Sequence, residues 1–155
     1  MMMRFLSGAS KGSDITLSAL GGDLNLRSGA ALSATGAARL TSNRNIFVAS
    51  SVTGNQGVAV TTTWGAISFT GTAADRIQSS DANINVSASG AINNVTQFAA
   101  SGTIDISGSS VTTGTLGADG NIAVTASSGA LIGGGRTIFI TCFKTGCRFH
   151  QGCSC

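Results

Sequence analysis

The stretch Asn121-Ile122-Ala123-Val124 shows the unit that decides the fold: a small polar residue, then an apolar, a variable and a second apolar residue. Apolar residues at positions i and i+2 face the same side of a β-strand, so each copy predicts a short strand with one buried face. The first apolar residues of successive copies lie 16 to 22 positions apart. The other copies are Asp23-Leu24-Asn25-Leu26, Asn45-Ile46-Phe47-Val48, Ala66-Ile67-Ser68-Phe69, Asn83-Ile84-Asn85-Val86, Thr103-Ile104-Asp105-Ile106 and Thr137-Ile138-Phe139-Ile140.

A second series with the same pattern lies between these copies and becomes irregular near Ile77. Its clear members are Asp14-Ile15-Thr16-Leu17, Ala37-Ala38-Arg39-Leu40 and Gly57-Val58-Ala59-Val60. A period of about 20 residues that holds two or three short strands predicts a coil whose strands pair in parallel with their copies one turn earlier. The expected fold class is therefore all-β, a parallel β-helix (β-solenoid) with about 20 residues per coil. Two inward columns are expected: Leu24, Ile46, Ile67, Ile84, Ile104 and Ile122, and beside them Leu26, Val48, Phe69, Val86, Ile106 and Val124.

The composition agrees with such a solenoid and excludes several classes of protein. Gly accounts for 22 residues and Pro for none, as expected where corners are tight and ladder positions must donate hydrogen bonds. Only 10% of residues are charged, and the net charge of +3 comes from Arg136, Lys144 and Arg148, because residues 1–135 are neutral. The body therefore lacks the clustered basic residues that nucleic-acid binding requires. No apolar run approaches the ~20 residues of a membrane span.

Groups for acid–base catalysis are few, and we expect no enzyme. The chain contains no Glu and no Tyr, and its four Cys and single His lie within the last 14 residues. Asp75 and Asp81 lie in a longer, less regular stretch from Gly71 to Ala82, which we expect to be a loop that leaves the shaft. A polysaccharide-acting enzyme would need such a carboxylate pair at a fixed separation in a groove. We favour a solvated loop.

The tail is the only part of the sequence with metal-ligand chemistry. Its candidate ligands are Cys142, Cys147, His150, Cys153 and Cys155. Thiolates and an imidazole could bind zinc, but the spacing matches no zinc pattern. Two disulfides that close the end of the solenoid are a second interpretation. We favour a third, a non-native tail from a shifted reading frame or cloning junction, with no metal and no cofactor.

Two further features have a structural and a functional interpretation. Trp64, the only Trp, could be a stacking platform for carbohydrate, but we favour packing over a corner beside Gly65. Asn or Asp recurs just before the strands, where it could bond its own backbone in a turn, stack as a side-chain ladder or bind calcium. The calcium-roll repeat is absent, so we favour the turn or ladder.

The repeats resemble those of filamentous haemagglutinins, large exoproteins of the bacterial two-partner secretion pathway. The copies that carry the resemblance include Gly22-Asp23-Leu24-Asn25-Leu26-Arg27-Ser28-Gly29-Ala30 and Gly120-Asn121-Ile122-Ala123-Val124-Thr125-Ala126. The resemblance covers residues 12–135 and implies a right-handed β-helix shaft, secreted or on the cell surface, that acts as an adhesin or presents a toxin tip. The family's secretion domain carries Asn-Pro-Asn motifs, which a chain without Pro lacks. We therefore expect a segment of a shaft from a truncated or broken reading frame.

Three parts are expected along the chain: a lead-in over 1–11, a β-helix repeat domain over 12–135 and a Cys-rich tail with a final strand over 136–155. The expected function is a non-catalytic structural segment of a bacterial surface or secreted adhesin. The alternatives are a polysaccharide-acting β-helix enzyme, and a metal- or disulfide-bearing tail on an inert solenoid. Expected partners are neighbouring repeats of the parent protein or further copies joined end to end, and a host-surface glycan or protein, without nucleic acid or membrane insertion. The stretch from Met1 to Leu6, which includes Arg4, begins like a signal peptide but ends at Ser7 before an apolar region of the necessary length.

Overall fold

The computed structural model describes residues 4–6, 8–72, 74–94, 96–135 and 139–142, and within these residues it contains strands and no helix. Most strands are three to five residues long, which is the length of the repeated apolar unit with its flanks. In chain order they are β1 (Arg4–Leu6), β2 (Ser10–Gly12), β3 (Ile15–Ala19), β4 (Leu24–Leu26), β5 (Leu32–Ala34), β6 (Ala38–Ser42), β7 (Ile46–Val48), β8 (Val52–Gly54), β9 (Val58–Thr62), β10 (Ile67–Phe69), β11 (Arg76–Ser79), β12 (Ile84–Ala88), β13 (Ile92–Asn94), β14 (Gln97–Ala100), β15 (Ile104–Gly108), β16 (Val111–Ala118), β17 (Ile122–Ala126), β18 (Leu131–Gly135) and β19 (Phe139–Cys142).

The strands lie on three faces of a coil. The first face holds β1, β4, β7, β10 and β13, the second β2, β5, β8, β11 and β14, and the third β3, β6, β9, β12, β15, β17 and β19. Each described strand pairs in parallel with its counterparts in the adjacent coils. The described residues thus form a parallel β-helix of about six turns with roughly 21 residues per turn, as the sequence repeat predicts.

One long strand joins the first and second faces. β16 pairs with β13 through Val111 and with β14 through Leu116, so a single strand of eight residues turns the corner between the faces. Its pairing with β18 shifts register between Thr112 and Thr115. Such a bulge bends a strand locally, which explains how β16 follows both faces.

Apolar side chains from all three faces fill the interior. Phe69 and Phe98 meet there edge to face with ring centroids 4.9 Å apart, a favourable arrangement for aromatic rings. The buried columns run through Leu24, Ile46, Ile67, Ile92 and Val111 on the first face, Leu32, Val52, Ile77, Phe98 and Leu116 on the second, and Ile15, Ala38, Val58, Ile84, Ile104 and Ile122 on the third.

The two columns expected from the sequence contain buried residues throughout, but their order of stacking is wrong. Ile67 pairs with Ile46 and Ile92 on the first face, whereas Ile84 pairs with Val58 and Ile104 on the third. The second expected column changes face at the same point. The first and third faces use the same apolar unit, so the unit does not tell these two faces apart. The short step from Ile67 to Ile84 marks a change of face, not a shorter coil.

The stretch from Gly71 to Ala82 does not leave the shaft as a loop, because it contains β11. This strand pairs with β8 and β14, and its Ile77 is buried. The additional residues of this coil are 70–75, which connect β10 to β11, whereas residues 49–51 make the equivalent connection one coil earlier. The irregular sequence therefore reflects a longer corner between two ordinary strands.

Strands also occur outside residues 12–135. Within the expected lead-in β1 pairs with β4, and β2, which reaches residue 12, pairs with β5. At the other end β19 pairs with β17. Stacking therefore extends, within the described residues, from Arg4 to Cys142.

Candidate functional site

The cysteine-rich tail lies almost entirely outside the described residues. Cys142 ends β19, whereas Cys147, His150, Cys153 and Cys155 fall outside the part of the chain that the structure describes. The zinc, disulfide and non-native interpretations of the tail stay predictions. Among the described residues, no group of three His, Cys, Asp or Glu side chains could hold a metal ion. In that same part of the chain no helix has the length and apolar character needed to cross a bilayer.

Asp75 and Asp81 do not form the carboxylate pair of a polysaccharide-acting enzyme. Asp75 closes its own corner, because its Oδ2 accepts hydrogen bonds from the backbone N–H of Thr72 at 2.7 Å and from the hydroxyl of Thr72 at 3.0 Å. Asp81 is exposed beyond the other end of β11. The four residues of β11, at about 3.3 Å each, separate the two by about 13 Å. A glycosidase pair lies about 5 to 10 Å apart.

The Asn and Asp residues before the strands link adjacent coils. In four of these positions a side-chain oxygen accepts a hydrogen bond from a backbone N–H in the next coil. The oxygen of Asn45 that caps Ala66 also shows that a neutral amide serves as well as a carboxylate. These side chains therefore link adjacent coils through the backbone, which is neither the own-backbone turn nor the stacked side-chain ladder expected from the sequence. The pairs are Asp14 with Ala37 at 2.7 Å, Asp23 with Asn45 at 3.0 Å, Asn45 with Ala66 at 3.0 Å and Asn83 with Thr103 at 2.8 Å.

The corner between the third face of one coil and the first face of the next carries exposed apolar side chains. Leu20 follows β3 and is 65% exposed, and Trp64 follows β9 at the same corner two coils later and is 80% exposed. Arg44, also exposed, lies at this corner in the coil between them. These three residues and Asn43 line an open depression of about 460 Å³. We call Leu20, Asn43, Arg44 and Trp64 the Trp64 corner.

Hydrogen bonds between coils hold the backbone of the Trp64 corner. The N–H of Trp64 donates to the carbonyl oxygen of Asn43 at 3.1 Å. The Asn43 side-chain amide donates to the carbonyl oxygen of Leu20 at 2.8 Å. The three loops are therefore tied to each other, and they present their side chains from fixed backbone positions.

Two buried hydroxyls brace the loops that carry Arg44 and Trp64. Ser42, which is fully buried, donates to the carbonyl oxygen of Gly22 at 2.7 Å and accepts from the N–H of Arg44 at 3.0 Å. Thr62 donates to the carbonyl oxygen of Arg44 and accepts from the N–H of Gly65 at 3.2 Å. In the other coils up to β17 the same rung is Ala or Gly, namely Ala19, Ala88, Gly108 and Ala126, and in β19 it is Cys142.

Gly65 permits the close approach of two coils at this corner. A Cβ atom at residue 65 would lie 2.4 Å from the carbonyl carbon and oxygen of Arg44 and 2.7 Å from the nitrogen of Asn45. Trp64 therefore lies at a corner beside Gly65, as the sequence predicts. It does not cover that corner, however, because most of its surface is exposed, and the packing interpretation of Trp64 is wrong.

The Trp64 corner has one sign of charge. Among the described residues that line the depression, Arg44 is the single charged side chain. Asp23 lies nearby, but it is buried and its Oδ1 accepts hydrogen bonds from both nitrogens of Asn45. The depression thus combines an indole, an aliphatic side chain, an amide and a guanidinium without an acid.

Sequence reasoning singled out Trp64 and missed its three neighbours. A signal for them exists in the spacing, because the third-face strands recur 23 and 20 residues apart, which places Leu20 opposite Asn43 and Arg44 opposite Trp64. That signal becomes readable only after the third-face strands are aligned as Ile15, Ala38 and Val58. Large residues at one corner of three consecutive coils must then lie side by side.

Comparison with known proteins gave no match to a family model, a curated protein or a solved structure. The fold and the site themselves define the class of protein to which the described residues belong. It is a parallel β-solenoid with an exposed aromatic and cationic corner.

Proposed function

We propose that this chain is a non-catalytic structural segment of a bacterial surface or secreted adhesin, a shaft like that of filamentous haemagglutinins. The observation that carries the proposal is the unbroken parallel stack from β1 to β19, in which each described coil rests on the one before. A structure in which each coil contacts mainly its neighbours extends along one axis, and this is the property that a shaft needs.

The surface of the solenoid supports the same function. The residue between the two buried positions of a strand faces outward, and on the third face Arg39, Asn85 and Asp105 are exposed while their neighbours along each strand are buried. Asp75 and Asp81, the carboxylates that a polysaccharide-acting enzyme would have used, lie at opposite ends of β11. A shaft that presents polar side chains to solvent therefore agrees better with the described residues than an enzyme does.

The localisation of the protein in the cells that express it tests this function. Antibodies raised against the purified chain are applied to intact cells, to permeabilised cells and to the culture medium. We expect label on intact cells or in the medium, with a cytosolic protein as the control for leakage. Label confined to permeabilised cells would contradict the proposal.

A further inference from the structure

We propose that the Trp64 corner binds an acidic saccharide chain, with Trp64 against the C–H face of a sugar ring and Arg44 on its carboxylate or sulfate group. The site names a ligand class for the proposed adhesin and rests on that function for its biological setting. Its chemistry rests on the side chains of the corner alone.

The first argument is the exposure of two large apolar side chains at one place. Trp64 and Leu20 are the most exposed large hydrophobic residues of the described chain, at 80% and 65%. Exposed apolar side chains that line one depression together with polar groups are a feature of interaction surfaces. A sugar ring has an apolar C–H face and a polar edge, and it matches an indole beside an amide and a guanidinium.

The second argument is charge. Arg44 lies in the depression without a carboxylate among the described lining residues. A guanidinium offers a planar set of donors that matches carboxylate and sulfate oxygens and forms strong charge-assisted hydrogen bonds. A neutral sugar would leave this donor set on water, so the corner favours an acidic ligand.

The third argument is the direction in which a chain can lie. Leu20, Arg44 and Trp64 occupy consecutive coils, which are about 4.8 Å apart along the axis. Beyond Trp64 the corner continues with small residues, because Ser89 and Gly90 follow β12 and Ser109 and Ser110 follow β15. A linear saccharide that runs along the shaft would therefore contact all three large side chains and meet no obstruction above them.

The fourth argument is that the corner is already held in place. The backbone bond between Trp64 and Asn43 and the amide bond between Asn43 and Leu20 fix the loops before any ligand arrives. Ser42 fixes the backbone of Arg44 from inside. A rigid site loses little conformational entropy on binding, and this favours affinity for a flexible polymer.

The fluorescence of Trp64 tests the site directly, because the chain has one Trp and no Tyr. The full chain is titrated at physiological salt with polygalacturonate, with dextran sulfate and with neutral dextran. We expect a shift of the emission to shorter wavelength and protection from acrylamide quenching with an acidic polymer, and no change with neutral dextran. The two acidic arms distinguish recognition of a carboxylate from recognition of a sulfate.

A matched pair of arginine variants separates the site from general attraction to a polyanion. Arg44→Gln is expected to weaken binding about tenfold, because it removes the charged donor set at the corner. Arg39→Gln removes the same charge from an exposed position on β6, and we expect an affinity close to that of the parent chain. Salt screens a diffuse attraction more than a local contact, so the difference should persist as salt increases.

Three results would overturn the site. The first is that neither acidic polymer changes the fluorescence of Trp64. The second is that the two arginine variants lose affinity equally. The third is that the emission shifts with protein concentration alone. The last result would show that a second copy of the chain covers the corner. Because these measurements use purified protein, they can fail while surface labelling succeeds, and the reverse, so the ligand site and the shaft function are tested separately.

Discussion

One corner of the solenoid carries large exposed side chains in its N-terminal half and small ones in its C-terminal half. Leu20, Arg44 and Trp64 occupy the corner in successive coils, whereas small residues, Ser89 and Ser109 among them, follow β12 and β15 further along. The backbone forms the same kind of hydrogen bond between coils in both halves. The N–H of Trp64 donates to Asn43 at 3.1 Å, and the N–H of Ser109 donates to the carbonyl oxygen of Gly90 at 2.9 Å.

The fold does not require large side chains at this corner. Backbone hydrogen bonds join the coils where the corner carries serine and glycine, so the bonds between coils do not depend on the large side chains of the first half. The buried rung beneath them differs as well, because Ser42 and Thr62 stand where Ala88 and Gly108 stand later. The N-terminal half thus carries both an unusual surface and an unusual support for it.

Substitution of Gly65 by Ala should break the corner and give the largest effect. The new Cβ would lie 2.4 Å from the carbonyl carbon of Arg44, so the two coils must separate. Forcing atoms into a packed position costs about 3 kcal/mol, and we expect the free energy of unfolding in urea to fall by that amount. Gly117→Ala is the control, since its nearest atom would be 4.0 Å away, and it should leave stability unchanged or raise it slightly. Equal effects of the two variants would show that the coils are not in contact at Gly65.

Substitution of Ser42 by Ala should give an intermediate effect. It makes the rung resemble Ala88 but leaves the carbonyl oxygen of Gly22 and the N–H of Arg44 without their partner. An unsatisfied buried polar group costs about 1 to 3 kcal/mol, and we expect a loss of about 2 kcal/mol in urea unfolding. Ser107→Ala removes an exposed hydroxyl that bonds Ser87 at 3.3 Å and should have little effect. A Ser42→Ala variant as stable as the parent chain would mean that the corner after β6 does not need the buried hydroxyl, like the corner after β12, where the rung is Ala88.

The sequence was sufficient for the architecture because its periodic pattern and its small residues act together. The expectation of parallel coils is confirmed, whereas the Asn and Asp side chains link the coils mainly through backbone N–H groups, with Asp23 and Asn45 as a side-chain pair. The order of stacking could not be predicted, because Ile67 and Ile84 lie in identical units on different faces. The first and third faces differ in the corners that flank their strands. The corner between β10 and β11 has six residues, so this coil is longer than its neighbours and interrupts the period of the repeat.

The candidate site was less accessible to sequence reasoning than the fold. Trp64 is visible as the only Trp, but its exposure depends on the outward direction of a corner that the pattern does not encode. Leu20 and Arg44 become neighbours of Trp64 only because β3, β6 and β9 pair in successive coils. Asp75 lies in an irregular stretch that the sequence predicts to be a solvated loop, and yet it closes a corner of the shaft through Thr72. The residues that become neighbours on a solenoid surface depend on which coils and faces stack. A repeated unit does not show this, because the same unit occurs on more than one face.

Substitution of Trp64 by Ser should have the smallest effect on stability, and it tests the comparison most directly, because it gives the corner after β9 a small residue like those after β12. With 80% of its surface exposed, Trp64 contributes little buried area. We expect the free energy of unfolding to change by less than about 0.5 kcal/mol. Phe69→Ala is the matched control, since Phe69 is a buried aromatic on the next strand and its truncation should cost about 3 to 5 kcal/mol. Circular dichroism is the signal to follow in urea, because the variant has lost its only indole. A loss for Trp64→Ser close to that of Phe69→Ala would make Trp64 a structural residue, and the two halves of the corner would then differ in folding and not in function.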